Sequence, residues 1–192
     1  STNRTHVEDY EKAISKSTKI LLWVHTSNYI MKGYTKEVPL EDIVSIGKKY
    51  KIPVVADLGS GSFIDMSNFD IPSEIPVSEI VKKGPDITLF SGDKMLGGPQ
   101  SGIILSTKIL INIIKSNSIY RTVRCDKITI AILDDIIRSY KKNGFLKSNL
   151  ALLLLTKDRK TLKKMAEEII NSVQEHKLRT LGLTIEDSMV EA

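Results

Sequence analysis

Short apolar segments that end in polar or glycine-rich residues alternate with amphipathic segments through the first half of this chain. The apolar segments have the length of strands and cover residues 19–24, 53–56, 86–90 and 101–105. Between them, apolar residues recur with helical spacing over 39–51 and 77–83. Because helical crossovers connect parallel strands, this alternation predicts an α/β fold with a three-layer, mostly parallel sheet.

Helical patterns also precede and follow the predicted sheet. They cover residues 7–16, 107–116, 126–142 and 158–176, and a loop rich in Ser, Asn, Asp and Pro covers 67–76. A chain of 192 residues that is 41% hydrophobic and 27% charged can bury one ordinary core. We therefore expect one domain with an appended segment.

Cysteine usage and hydropathy indicate the compartment. Cys125 is the single cysteine, so no internal disulfide can form and a reducing environment is expected. The longest unbroken apolar run, residues 150–155, is too short to cross a bilayer, and no signal-peptide pattern opens the sequence. We therefore expect a cytoplasmic protein without a membrane partner.

Asp57 follows directly after a strand of the buried type, residues 53–56, and Gly59 and Gly61 then release the chain into a turn. A carboxylate at the carboxyl end of a strand lies where active sites form in open α/β sheets. There it could lie against a pyridine nitrogen and keep that nitrogen protonated, as pyridoxal phosphate chemistry requires. An aspartate that caps its own turn is the alternative.

Lys94 lies just beyond the next strand, in the segment SGDKMLGGPQ at 91–100. Its amine could form a Schiff base with an aldehyde, while the Ser91 hydroxyl and nearby backbone N–H groups hold a phosphate on the same ring. A solvated loop lysine is the alternative. Together, a carboxylate and an amine at successive strand ends predict a pyridoxal phosphate site.

Five segments, in this order, resemble those of a known enzyme family. They are TNRTH at 2–6, VHTSNY at 24–29, DLGSG at 57–61, SGDKMLGGPQ at 91–100 and RTVRCDK at 121–127. On these segments the chain resembles bacterial selenocysteine synthase, L-seryl-tRNA(Sec) selenium transferase, from residue 2 to about residue 140. The resemblance implies a pyridoxal-phosphate-dependent enzyme with the aspartate-aminotransferase, type I, fold.

The resemblance also implies a reaction and its residues. The family converts seryl-tRNA(Sec) to selenocysteinyl-tRNA(Sec) with selenophosphate, through an aminoacrylyl intermediate, and assembles as dimer-based homo-oligomeric rings. Lys94 would then be the Schiff-base lysine and Asp57 the partner of the pyridine nitrogen. Arg121 and Arg124 would bind the selenium donor, because arginines of the matching RxxR segment line that pocket in the family. Ordinary surface charge near a helix start is the alternative for both arginines.

A further expectation is that the chain is a fragment of such an enzyme. Residues 1–145 would be the C-terminal part of the large, cofactor-binding domain, and residues 146–192 the connecting helices and the start of a truncated small domain. The tRNA-binding region and a loop that contacts the cofactor phosphate would then be missing. We therefore expect the isolated chain to be inactive.

The remaining polar candidates lie close to the predicted strand ends. His25 could bind the phenolic oxygen of the cofactor or the aminoacyl ester, or belong to a turn that satisfies its own backbone. Asp93 could steer the protonation of Lys94 or cap its loop. The three histidines lack the spacing of metal ligands, so we expect no metal site.

Positive charge is concentrated between residues 138 and 164, where nine basic residues accompany one acid, Asp158. Such a block can attract a polyanion such as tRNA(Sec). The solvated faces of two amphipathic helices explain the same charges.

Two other classes of function stay open. One is a different pyridoxal enzyme on the same scaffold, such as an ammonia-lyase or an aldolase, although Asp93 and the Gly97-Gly98-Pro99 turn argue against it because such relatives usually vary there. The other is an inactive, truncated remnant. A spectrum recorded with added pyridoxal phosphate would distinguish the remnant from the enzymes.

Overall fold

The computed structural model describes residues 3–27, 31–69, 74–142, 144–173, 177 and 181–186. One sheet contains four strands: β1 (Leu21–Val24), β2 (Val54–Asp57), β3 (Ile87–Ser91) and β4 (Gly102–Ser106). Their spatial order is β1-β2-β3-β4, with the first two pairings parallel and the third antiparallel. The prediction of an α/β fold with a mostly parallel sheet is confirmed.

β4 runs antiparallel because of the short connection that precedes it. The segment between Ser91 and Gly102 holds no helix, and a parallel return needs a crossover of a dozen or more residues. The strand therefore turns back beside β3, with Phe90 opposite Ile103.

Helices fill most of the remaining described chain, and the predicted ones occur within a few residues of their expected ends. They are α1 (Val7–Ala13), α2 (Leu40–Tyr50), α3 (Val77–Lys82), α4 (Lys108–Ser116), α5 (Ser118–Val123), α6 (Lys127–Lys141), α7 (Phe145–Ser148), α8 (Leu150–Leu155) and α9 (Arg159–Ser172), with a 3₁₀ turn at Met66–Phe69. The short helix α5 was not predicted, and α7 and α8 lie where connecting helices were expected without stated bounds. Residues 174–176, the end of the helix predicted at 158–176, lie outside the described residues.

Side-chain caps fix where the later helices begin. The Asp126 carboxylate accepts hydrogen bonds from the backbone N–H groups of Ile128 and Thr129 at the start of α6. These N–H donors, that of Thr129 first, lower the pKa of Asp126. Asp158 caps α9 in the same way, by accepting from the N–H of Thr161.

The hydrophobic core lies on one face of the sheet. Leu21, Val54, Ala56 and Phe90 alternate onto this face and are buried. Buried side chains of α2 and α3 and partly buried side chains of α6 pack against them: Leu40, Ile43, Val44, Ile46, Val77, Ile80, Leu133, Ile136 and Tyr140. The core therefore supports the carboxyl ends of β2 and β3 directly.

The first strand differs from its prediction as a buried strand. Of its residues only Leu21 is buried, whereas Leu22 and Val24 are 48% and 54% exposed. The physical reason is that Leu22 and Val24 point to the face opposite the core, and β1, as an edge strand, has a neighbour on one side only, which leaves them uncovered. Ile104, on β4 at the other edge, is 40% exposed.

In the part of the chain that the structure covers, no helix combines the length and the apolar character needed to cross a membrane.

Candidate active site

Strand pairing brings the carboxyl ends of β1, β2 and β3 to one edge of the sheet. Val24 pairs with Asp57, and Asp57 pairs with Leu89. The backbone N–H of His25 donates to the Asp57 carbonyl over 2.8 Å, and the N–H of Ser91 donates to the Gly59 carbonyl over 2.9 Å. The predicted residues His25, Asp57 and Ser91 therefore lie together, at the edge where ligands bind in open α/β sheets.

Asp57 is half-buried, and its two carboxylate oxygens differ. Oδ1 accepts a hydrogen bond from the Gly59 N–H at 3.0 Å, so the aspartate does cap its own turn. Oδ2 has no hydrogen bond to any residue that the structure describes. One oxygen thus fixes the carboxylate, and the other is available to a ligand.

The turn after Asp57 requires glycine at position 59. Gly59 has φ +64°, and a Cβ there would lie 2.6 Å from the Ser27 hydroxyl oxygen. This contact shows that the segment after β1 packs directly on the turn. The next residue, Ser60, is 6% exposed, and its hydroxyl oxygen is buried without a hydrogen-bond partner among the described residues.

His25 is held by two neighbours. Its ring stacks on Trp23, with 5.9 Å between centroids and an interplanar angle of 17°. Its Nε2 lies 3.5 Å from the Glu74 carboxylate, and both side chains are largely buried. Glu74 was not predicted as a site residue, because it lies in the loop at 67–76, which has no regular pattern. Asn28, in the segment VHTSNY at 24–29, lies outside the described residues.

Lys94 and Asp93 are exposed in the loop that joins β3 to β4. Neither side chain has a hydrogen bond or an ion pair with any other described residue. The loop itself is closed by the Gly97 N–H, which donates to the Lys94 carbonyl at 2.9 Å, and by the Gly98 N–H, which donates to the Gly92 carbonyl at 2.7 Å. The lysine amine is therefore carried by an ordered turn while remaining open to solvent.

Asn149 and Tyr140, which were not predicted as site residues, hold this loop through hydrogen bonds to its backbone. The side-chain amide of Asn149 and the hydroxyl of Tyr140 both donate to the carbonyls of Met95 and Leu96. The side chain of Leu96, whose carbonyl accepts from both residues, is fully buried.

Arg121 and Arg124 lie in and directly after α5, the short helix that follows α4. Arg121 is in α5, and Arg124 is its C-cap residue, with its N–H donating to the Tyr120 carbonyl at 2.9 Å. Both side chains are exposed. Among the described residues, no hydrogen bond or ion pair joins either guanidinium to Asp57 or Lys94. Their role as donor ligands stays a prediction.

The groups at the Asp57 edge suit pyridoxal phosphate chemically. An exposed amine can bind the aldehyde, a carboxylate oxygen can hold the proton of a pyridine nitrogen, and the unpartnered Ser60 hydroxyl is a further polar group that a ligand could satisfy. Within the described ranges, no cluster of three or more His, Cys, Asp or Glu side chains could hold a metal ion.

A cavity at the opposite end of β2 has a structural explanation. It measures about 240 Å³ and is lined in part by Lys51, Pro53 and Asp86. The Asp86 carboxylate accepts a hydrogen bond from the Val54 N–H at 2.8 Å, which fixes the start of β2.

The matches to known sequences all point to one family. A family model described as L-seryl-tRNA selenium transferase matches residues 1–192. A protein of Mannheimia succiniciproducens named L-seryl-tRNA(Sec) selenium transferase is 41% identical over 192 residues, which is 100% of this chain and 41% of that protein. A protein of the same name from Nitratidesulfovibrio vulgaris is 49% identical over 140 residues, or 73% of this chain and 30% of that protein. The chain spans less than half the length of each of these relatives.

Solved structures show the likeness in fold. D-Glucosaminate-6-phosphate ammonia-lyase superimposes with a TM-score of 0.59 at 22% identity, over 74% of this chain and 35% of that one. A variant of Thermus thermophilus aspartate aminotransferase superimposes with a TM-score of 0.51 at 17% identity, over 94% of this chain and 43% of that one. At such identities the likeness concerns the fold alone, and it confirms the predicted aspartate-aminotransferase architecture.

Proposed function

The chain belongs to the L-seryl-tRNA selenium transferase family, and we propose that the full-length protein that contains it converts seryl-tRNA(Sec) to selenocysteinyl-tRNA(Sec). Selenophosphate is the proposed donor, pyridoxal phosphate is the proposed cofactor, and the cytoplasm is the proposed location. The observation that supports this most is that Asp57 and the Lys94 loop follow adjacent parallel strands and share one edge of the sheet. An amine and a carboxylate on that edge are the two groups the cofactor needs.

Each residue at the edge is proposed to have a separate task. Lys94 binds the aldehyde carbon of the cofactor through its amine. Asp57 holds a proton at the pyridine nitrogen through Oδ2, because Oδ1 is already bound to the Gly59 N–H. His25, fixed by Trp23 and Glu74, orients the ring, and Ser91 contributes its hydroxyl to the phosphate. Asp93 is proposed to influence the protonation of the neighbouring lysine. When bound, the cofactor supplies an electron sink for the substrate's α-carbon.

Replacing Asp57 with asparagine tests the ring-nitrogen role. Asparagine keeps an oxygen for the Gly59 N–H but cannot hold a proton at the pyridine nitrogen. We expect the full-length enzyme to retain cofactor and to lose transfer by about two orders of magnitude or more, the scale of a proton-transfer group. The measurement is single-turnover selenium transfer beside the cofactor's absorption spectrum. Asp42→Asn, at an exposed carboxylate of α2, is the control, and normal turnover in Asp57→Asn would exclude the role.

Arg121 and Arg124 are proposed to bind the anionic selenium donor. Two guanidinium groups three residues apart, exposed at the end of α5, could contact one oxyanion together. We expect alanine at either position to raise the donor concentration needed for half-maximal rate about tenfold, since one charge-assisted hydrogen bond is removed. The spectrum of the lysine-bound cofactor should not change.

The control for the arginines is Arg138→Ala. Arg138 is also exposed, but its Nε is bound to the Asp134 carboxylate at 2.8 Å within α6. Because Arg138 belongs to the basic segment proposed to bind tRNA(Sec), the donor dependence is measured at saturating seryl-tRNA(Sec), where its replacement should leave that dependence unaltered. If Arg121→Ala and Arg124→Ala also leave it unaltered, the donor binds elsewhere.

The partners of the full-length protein are proposals of the same kind. The basic segment 138–164 is mostly on exposed helix surface, and the described part of α9 buries no residue, which leaves its charges accessible to tRNA(Sec). Apolar side chains on α4 and α6 favour a homo-oligomer, which we propose is a ring of dimers: Ile109 and Ile128 are each 73% exposed. We also propose that the large domain ends near residue 145.

A further inference from the structure

Asn149 connects the start of α8 to the lysine loop through one buried side chain. It is 4% exposed, and its amide nitrogen donates to the carbonyls of Met95 and Leu96, each at 3.0 Å. Its Oδ1 accepts from the Leu152 N–H at 3.1 Å and so caps α8. Both ends of the amide are therefore used, one for its own helix and one for a loop more than fifty residues earlier in the chain.

Tyr140 completes the arrangement from α6. Its hydroxyl accepts from the Asn149 amide at 2.9 Å and donates towards the Leu96 and Met95 carbonyls at 3.2 and 3.3 Å. Its ring stacks on Phe145, with centroids 5.0 Å apart. Burial raises the pKa of Tyr140, against a smaller opposing effect of the Asn149 hydrogen bond, so the hydroxyl stays protonated and able to donate at neutral pH.

The loop is shaped to receive Asn149. Gly97 has φ +75°, and a Cβ at this position would lie 2.5 Å from both Nδ2 and Oδ1 of Asn149. The Gly97 N–H donates to the Lys94 carbonyl, so the glycine that packs against Asn149 also closes the turn that carries the lysine. A change at Asn149 therefore reaches Lys94 through a single turn.

We propose that Asn149, assisted by Tyr140, is a positioning residue that sets the location of Lys94 relative to Asp57. Asn149 and Tyr140 hold the Met95 and Leu96 carbonyls in place. Met95 and Leu96 both lie within the turn from Lys94 to Gly97, so the position of the turn depends on them. The inference rests on the proposed function in one respect, that Lys94 is the reactive amine. Asn149 lies in the segment proposed to connect the two domains, so a displacement of that segment would displace the lysine loop with it.

The test compares Asn149→Ser with Asn117→Ser. Asn117 caps α5 by accepting from the Ile119 N–H, as Asn149 caps α8, but it is exposed and does not contact the lysine loop. Serine caps a helix about as well as asparagine does. The pair therefore separates loss of the donor to Met95 and Leu96 from the effect of changing a cap.

Hydrogen exchange of the 192-residue chain is the first readout. In Asn149→Ser we expect the Gly97 and Gly98 amides to exchange about tenfold faster relative to the amides of α2, which report global opening. Asn117→Ser should leave that ratio at its parent value. An unchanged ratio in Asn149→Ser would overturn the proposal, as would an equal increase in α2, which is what a merely structural role predicts.

Two further measurements test the same positioning role of Asn149. Tyr140→Phe removes only the hydroxyl and should raise the same exchange ratio by a smaller factor. If Asn149→Ser does not fold, this variant tests the proposal, and an unchanged ratio in Tyr140→Phe would then overturn it. In the full-length enzyme at saturating pyridoxal phosphate, Asn149→Ser should slow the borohydride labelling of Lys94 about tenfold, and normal labelling would overturn the proposal. If the parent enzyme is not labelled at Lys94, the proposed function fails, while the exchange ratio still tests whether Asn149 holds the loop.

Discussion

Replacing Lys94 with alanine is expected to abolish covalent attachment of pyridoxal phosphate and to lower selenium transfer by at least about a thousandfold, the scale of losing a covalent catalytic group. The lysine is exposed and carries no ion pair within the described residues, so its amine is accessible to the aldehyde. Borohydride reduction of the full-length enzyme with the cofactor, followed by peptide mapping, should label Lys94 in the parent. The variant should give only background labelling.

The control for this experiment is Lys115→Ala. Lys115 is another exposed lysine, in the last turn of α4, and its loss should leave both labelling and transfer unchanged. Labelling of a different lysine in the parent enzyme would show that the assignment of Lys94 is incorrect.

Gly97→Ala is expected to destabilise the 192-residue chain by about 2–5 kcal/mol. The estimate combines an overpacking cost of about 1–3 kcal/mol with about 1–2 kcal/mol for a left-handed backbone conformation. Both costs arise at one place, because φ is +75° and the new Cβ would lie 2.5 Å from two atoms of Asn149. Equilibrium unfolding in urea, followed by circular dichroism, measures the change.

Gly102→Ala is the matched control, since a Cβ in β4 would meet nothing within 4 Å and the backbone there has no positive φ. It should change the free energy of unfolding by no more than about 0.5 kcal/mol. The double variant Gly97→Ala, Asn149→Ala should cost less than the sum of its single changes, because the second removes the atoms that the first meets. Strict additivity, or equal stability of Gly97→Ala and the parent, would contradict the steric argument.

The sheet was predictable because its signals are local. Each apolar run that became β1, β2 or β3 is followed by a polar residue or a glycine, so the strand ends could be placed, and with them Asp57 and Lys94. The exposure of Leu22 and Val24 was not predictable in the same way. An apolar run has the same pattern whether one or both of its faces are covered, and only the strand's position in the sheet decides which.

The supports of the candidate site could not be predicted, because they depend on contacts between distant segments. An asparagine before a run of leucines predicts at most a helix cap, and Asn149 is one. Its second contact, with the Met95 and Leu96 carbonyls, joins residues that are 54 and 53 positions apart in the sequence. Glu74 meets His25 only once the sheet has placed their segments side by side.

The stacking of Trp23 on His25 has an optical consequence, because Trp23 is the only tryptophan in the chain. Indole emission from this chain therefore originates at one point, one residue before the end of β1 and in contact with a side chain of the candidate site. Protonation of the neighbouring imidazole quenches an indole, and a nearby chromophore that absorbs in the same region accepts its excitation energy. Fluorescence thus provides an intrinsic, label-free signal of what happens at this edge of the sheet, undiluted by indoles elsewhere in the chain.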